Sequence, residues 1–196
     1  MVDGRAVRRT AALAVGLALA GCSTAPSTTT PSVAASAAVT SGPSVPAPPD
    51  VSVAPGQRLP KPPAGGFGAP VTVVFDGAPP LRVEVASRPD QRSRGLMQRT
   101  ELPAGTGMIF LFPKRSAGGF WMLGTLVPLS IAYLDGDTVV STAEMVPCTT
   151  PAKQCPTYPS TGSYTAAVEA PAGFFPAHGV RPGTKVRIEG PTPSAG

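Results

Sequence analysis

A chain of 196 residues with 26 prolines and 22 glycines has room for one ordinary domain, and because the prolines crowd its N-terminal third only part of it can form a core. The formal net charge of +5 is partly a property of residues 1–21: without Arg5, Arg8, Arg9 and Asp3 there, Lys+Arg falls to 13, Asp+Glu to 10 and the charge to +3. No dense Lys/Arg run interleaved with aromatics remains, which argues against a nucleic-acid surface.

In chain order, the first element is a secretory signal over residues 1–21. Arginines at 5, 8 and 9 precede the apolar run Ala11–Ala20 and then small residues, the layout of an export signal. The run is shorter than the roughly 20 helical residues needed to cross a bilayer. Leu19-Ala20-Gly21-Cys22 resembles the lipobox of bacterial lipoproteins, in which cleavage before the cysteine leaves it as the acylated, palmitate-type anchor of the mature chain. The predicted localisation is therefore export, followed by anchoring to the outer side of the cytoplasmic membrane or to another envelope membrane through a lipid on Cys22. Residues 22–70 are Ser, Thr, Pro, Ala and Val with almost no large apolar side chain before Phe67. Such a segment buries too little to offset chain entropy, so a disordered tether stiffened by proline is expected.

The folded domain is placed at residues 71–190, with 191–196 as a disordered tail. Val71–Phe75 and Leu81–Ala86 read as strands, the second with Leu81, Val83 and Val85 on one face. A helix over Pro89–Met97 follows, with Ser87 as its cap and Asp90 in its first turn. Met108–Phe112 is a continuous apolar run of the kind buried on both sides of a sheet. Phe120–Leu123, Leu129–Leu134, Thr138–Val146, Ser163–Glu169 and Lys185–Glu189 bring the strands to about eight, and Asp135-Gly136-Asp137 supplies a tight turn. Ala172–His178 reads as a helical turn or two stopped by Gly179. Short strands, frequent turns and one or two short helices predict a mainly β fold, either a sandwich or an irregular barrel.

Chemistry-bearing residues are scarce. With Cys22 assigned to the lipid, Cys148 and Cys155 form an even pair in an oxidising compartment and are expected to be a disulfide. His178 is the only histidine, which counts against a zinc site and leaves one residue on which a Ser-His-Asp triad could be built; a helix-end role is favoured for it. No metal or cofactor is expected, and no catalytic residue is assigned. Glu84, Asp90, Glu101, Glu144 and Glu169 are available carboxylates, with nothing in the sequence to pair any two. Arg88, Arg92, Arg94 and Arg99 cluster on and after the first helix. They suit an anion such as a carboxylate, phosphate or acidic headgroup, although a solvated helix face accounts for them more simply. Trp121 can stack on a sugar ring or an aromatic ligand, but a lone tryptophan in a small β domain is more often core, and core is the preferred reading.

Arg94-Gly95-Leu96-Met97-Gln98-Arg99, Gly107-Met108-Ile109-Phe110-Leu111-Phe112 and Phe120-Trp121-Met122, with Pro128-Leu129, Pro147-Cys148 and Gly179-Val180, stand in an order that resembles the domain-of-unknown-function 192 family. The resemblance implies a small, mostly β fold, often carried behind a signal peptide or lipobox, and brings no agreed activity. Where the family usually reads Trp-Met-Lys-Asn-Thr and Pro-Leu-Asp, this chain has Leu123, Gly124 and Ser130. Candidate ligand-binding residues are Arg94, Arg99, Trp121 and Glu144. The favoured function is a non-catalytic envelope module that binds a small anionic ligand, a glycan or an exported protein. The alternative is an enzyme acting on an envelope polymer or small anionic metabolite, using Arg94, Arg99 and Glu144.

Overall fold

The computed structural model describes residues 58–148 and 150–196, so the signal, Cys22 and most of the tether lie outside the described residues. Strands β1 (Gly68–Phe75) and β2 (Leu81–Ala86) form an antiparallel hairpin. Period-two alternation sends Val71, Val73, Phe75, Leu81, Val83 and Val85 into the core. Helix α1 (Pro89–Arg94) then carries the chain over to β3 (Thr106–Ser116), parallel to β2. Next come β4 (Gly119–Trp121), β5 (Leu129–Asp135), β6 (Thr138–Met145), β7 (Thr157–Pro159), β8 (Tyr164–Pro171), α2 (Phe174–Ala177) and β9 (Val186–Glu189).

Seven strands make one sheet in the order β6-β5-β8-β3-β2-β1-β9, and β4 pairs with β7 in a separate two-stranded ribbon. The large sheet curls until its edges meet at one end. There Val139 N donates to the Thr184 carbonyl (2.9 Å), Gly183 N to Val139 (2.9 Å) and Val186 N to Asp137 (2.9 Å). Of the two architectures expected, the irregular, half-closed barrel is the one formed. Closing one end also satisfies backbone groups that an open edge would expose.

The central strands are covered on both faces. The concave face packs Val73, Phe75, Ile109, Leu134, Val168 and Phe175. The convex face packs Met108, Phe110, Ile131, Tyr133, Tyr164 and Ala167 beneath Leu96, Phe120 and Met122. Hence β5 is buried along its whole length except Asp135, which explains why its sequence is apolar at most positions.

Several local details depart from the expectations above. α1 stops at Arg94 rather than Met97, because Gly95 (φ 47°) and Gln98 (φ 65°) turn the chain out of the helix. Its start is capped by Gln91, not by the Ser87 hydroxyl: Gln91 Oε1 accepts from the backbone N–H groups of Ser87 and Arg88 at 3.0 Å each. The Gln91 amide Nε2 donates to the Gly66 carbonyl (2.8 Å), so this wholly buried side chain uses both ends. The same helix holds the end of the predicted tether, with Arg94 Nη1 donating to the Pro60 carbonyl (2.9 Å) and Arg88 Nη2 to Ala64 (2.8 Å). At the other terminus, Gly196 N donates to the Ser87 carbonyl (2.9 Å). β7 has no counterpart among the predicted strands, since its three residues end in proline and exist as a strand only through pairing with β4. That pairing needs Gly119, where a Cβ would sit 2.5 Å from Thr157 Cγ2 and 2.9 Å from Pro159 Cα. Cys148 and Cys155 are disulfide-bonded, with Cα atoms 5.6 Å apart, and staple the chain leading into β7.

Replacing Gln91 with alanine strands the buried Ser87 N–H and unpairs the part-buried Arg88 N–H and Gly66 carbonyl, so a loss of about 1–3 kcal/mol of stability is expected in denaturant unfolding. A change below about half a kcal/mol would show that water takes over these groups.

Candidate functional site

The convex-face cover has a seam. The C-terminal end of α1 and the following turn approach β4 without meeting it, leaving a narrow shaft of about 40 Å³ that reaches Glu169 on β8. Arg94, Gly95, Phe110, Phe120, Trp121 and Thr125 are among its walls. It opens beside a broader basin of about 270 Å³, which shares Arg92, Ser93, Phe110, Phe120 and Trp121 with it and extends to Phe112 and Tyr164.

Glu169 is placed there by strand pairing. On β8 it faces Met108 of β3 and Ile131 of β5 across the ladders, and both neighbours are apolar and fully buried. β3 comes so close at this point that a Cβ on Gly107 would overlap the Glu169 carbonyl oxygen, which gives the glycine of the Gly107–Phe112 segment a packing role. Glu169 itself is only 5% exposed. Among the described residues its carboxyl makes no side-chain hydrogen bond or ion pair. Burial away from water disfavours the charged form and pushes its pKa up to about 8, against an ordinary value of 4.5. At neutral pH it is mainly a carboxylic acid, able both to donate and to accept.

Trp121 is 44% exposed on the rim of the shaft. The preferred core reading is therefore wrong: β4 lies in the ribbon outside the sheet, so alternation buries Met122 and turns the tryptophan outward. Beside it, Phe120 packs edge-on against Phe110 with ring centres 4.9 Å apart. Arg92 is half-buried, its guanidinium donating to the carbonyls of Ser87 (2.5 Å), Leu111 (3.0 Å) and Gly196 (2.9 Å) and lying 5.4 Å from the Phe112 ring centre.

The four candidates named from sequence thus separate. Arg94 and Trp121 share the shaft. Arg99 lies in a different groove, paired with Glu84 (2.5 Å) and 6.0 Å from the Phe67 ring centre. Glu144 accepts from Ser130 Oγ (2.5 Å) and from the Gly173 N–H (2.9 Å), tying β6 to β5 and to the turn before α2. His178 contacts the Phe174 carbonyl through Nδ1 (2.8 Å) and stacks on the Phe174 ring; among the described residues it has no serine or carboxylate hydrogen-bond partner. No group of three His, Cys, Asp or Glu side chains with metal-binding geometry occurs among the described residues. The residue sequence reasoning left unassigned is Glu169. Its signal was a lone carboxylate inside Ala166-Ala167-Val168-Glu169-Ala170, a strand apolar on both sides of it.

The positions where the chain departs from the pattern of the family it resembles have local explanations. Gly124 has φ 64°, a left-handed conformation that asparagine also tolerates. Leu123 is buried and bridges Cys148, and Ser130 holds Glu144.

The raised pKa of Glu169 ties stability to pH. Unfolded, the group ionises near 4.5; folded, near 8. Between those values the native state holds the extra proton, so stability falls as pH rises, by up to about 1.4 kcal/mol per pH unit, and levels off above the folded pKa. Chemical unfolding of the unaltered chain and of Glu169→Gln, run from about pH 5 to about pH 8, is expected to show this slope in the first relative to the second; parallel profiles would contradict it.

Among curated proteins no match is found. A crystal structure of a protein of unknown function from Novosphingobium aromaticivorans is similar, at 34% identity and TM-score 0.52 over 60% of this chain and 83% of that one. A second, from Sinorhizobium meliloti and described as a candidate transcription regulator, shares 27% identity at TM-score 0.56 over 62% of this chain and 95% of that one. The family model for domain of unknown function 192, described as uncharacterized ACR, matches residues 71–188. That match spans more than half of the sequence and takes in every strand from β2 to β8: the chain belongs to the domain-of-unknown-function 192 family.

Proposed function

We propose that this chain is an exported lipoprotein whose β domain is a non-catalytic binding module, taking a small ligand in the cleft between Trp121 and Glu169. One observation carries the reading: a buried carboxyl with no side-chain partner among the described residues stands at the end of an open shaft rimmed by an exposed tryptophan and Arg94. A buried polar group without a partner costs about 1–3 kcal/mol, and such local costs are characteristic of binding and active sites. Aromatic walls with a few convergent polar groups are the usual make-up of a small-molecule site. The transcription-regulator description of the Sinorhizobium meliloti protein is not carried over, since no dense basic surface supports it here.

An enzyme is the second reading, and the carboxyl's raised pKa favours it, because a general acid working near neutral pH needs such a shift. Hydrolysis by paired carboxylates would require a second acid nearby. Among the described residues no other carboxylate lines the shaft.

The lipid anchor is supported by the signal layout and by Leu19-Ala20-Gly21-Cys22. One acyl chain gives only marginal attachment, so stable anchoring needs the several chains that lipoprotein processing adds. Glu169→Met is expected to stabilise the fold by about 1–3 kcal/mol in chemical unfolding at neutral pH; a loss of that size would mean that Glu169 serves the fold and not a ligand. Cys22→Ser is expected to shift the protein from the membrane to the soluble fraction while its unfolding transition stays unchanged, and an unaltered membrane fraction would overturn the anchor.

A further inference from the structure

Resting on that reading of the cleft, we propose that its ligand is a neutral saccharide: one sugar ring stacks its C–H face on Trp121 above the basin, and one hydroxyl or hydroxymethyl group enters the shaft to meet the Glu169 carboxyl. The dimensions set the division of labour. A space of about 40 Å³ admits a group the size of a hydroxyl or hydroxymethyl and no ring, whereas the adjoining basin of about 270 Å³ has the volume of a small ring compound.

The chemistry of the walls selects among ligand classes. An ammonium group would suit the tryptophan face and the carboxyl, but Arg92 and Arg94 stand at the same opening and repel it. An anion would suit those arginines, yet it would have to shed its hydration to reach a carboxyl that is itself neutral and offers a single donor. The guanidiniums are also partly committed, Arg92 to three backbone carbonyls and Arg94 to Pro60. A hydroxyl both donates and accepts, so it meets a carboxyl and the buried Thr125 without a net charge to desolvate. An amphipathic ring with an apolar face and polar edges matches a half-exposed tryptophan backed by Phe120.

The full chain, purified in mild detergent, would be screened on an array of neutral hexose and N-acetylhexosamine oligomers. The tightest saccharide would then be titrated against the fluorescence of Trp121, the single tryptophan of the sequence. Acetate, inorganic phosphate, ethanolamine and tetramethylammonium serve as charged probes. A saccharide-dependent change in Trp121 emission is expected. Calorimetry on Trp121→Ala and Glu169→Met should show affinity weakened by about tenfold or more, the equivalent of roughly 1.4 kcal/mol for each tenfold. Trp121→Ala changes a rim residue that is 44% exposed, and its unfolding transition, measured alongside, separates a loss of binding from a loss of fold. Emission that responds to a charged probe while every saccharide is silent would overturn the ligand class and leave the cleft standing as a binding site. Saccharide binding that both variants retain at full strength would place the sugar elsewhere and overturn the proposal. Silence toward all probes would overturn it as well, leaving the effect of Glu169→Met on stability to decide the broader reading.

Discussion

A curled sheet whose middle strands are apolar on both faces has to be covered twice, and a chain this short has little left with which to do it. The concave face is covered mostly by its own curl, because closing β6 onto β9 brings Val73, Phe75, Leu134 and Val139 together inside the half-barrel, with Phe175 of α2 packed among them. The convex face cannot be covered in this way. It depends on α1 with its following turn, on the β4–β7 ribbon and on the disulfide that ties the approach to β7. Each of these is too short to hold its own shape. α1 has six residues and relies on the Gln91 amide for its cap, while the ribbon is three residues wide and relies on Gly119 for close approach. The cover is therefore assembled from pieces that meet imperfectly. The shaft is the place where two of them fall short, and Glu169 is what lies under the gap.

That arrangement turns an awkward residue into a useful one. A carboxyl between Met108 and Ile131 has lost most of its hydration, so it stays protonated well above the usual carboxylate range. It still borders a space large enough for a small polar group. A fully closed convex face would leave the acid as a pure cost to stability, and a fully open one would let it ionise like any surface glutamate. The observed geometry lies between these, with an aromatic rim and two arginines bounding the approach.

The architecture was largely legible from period and turn chemistry. Alternation located β1 and β2, the unbroken run at Met108–Phe112 marked a strand buried on both sides, and Asp135-Gly136-Asp137 marked a hairpin. What escaped was set by long-range contact. The β7 segment has no strand signal until β4 lies beside it, and Gln91 reads as an ordinary helix residue until its neighbours Ser87, Arg88 and Gly66 are in place. The candidate site was legible only in part. Arg94 and Trp121 stood out by residue type, while Arg99 and Glu144 stood out equally and are taken up by Glu84 and by Ser130 with Gly173. Glu169 could be seen in the sequence as a charge in an apolar strand. Its burial depends on β3 and β5 flanking it and on the ribbon above, neither of which local pattern reveals.

The account turns on the protonation state of that one carboxyl. Carbon-13 labelling of glutamate side chains, with the Glu169 signal assigned by its absence in Glu169→Gln, allows the group to be followed directly through a pH titration by NMR. A midpoint near 8, far above the ordinary glutamate value of 4.5, is the predicted result. A midpoint in the ordinary glutamate range would mean that Glu169 is hydrated or paired, and would contradict the cleft as described.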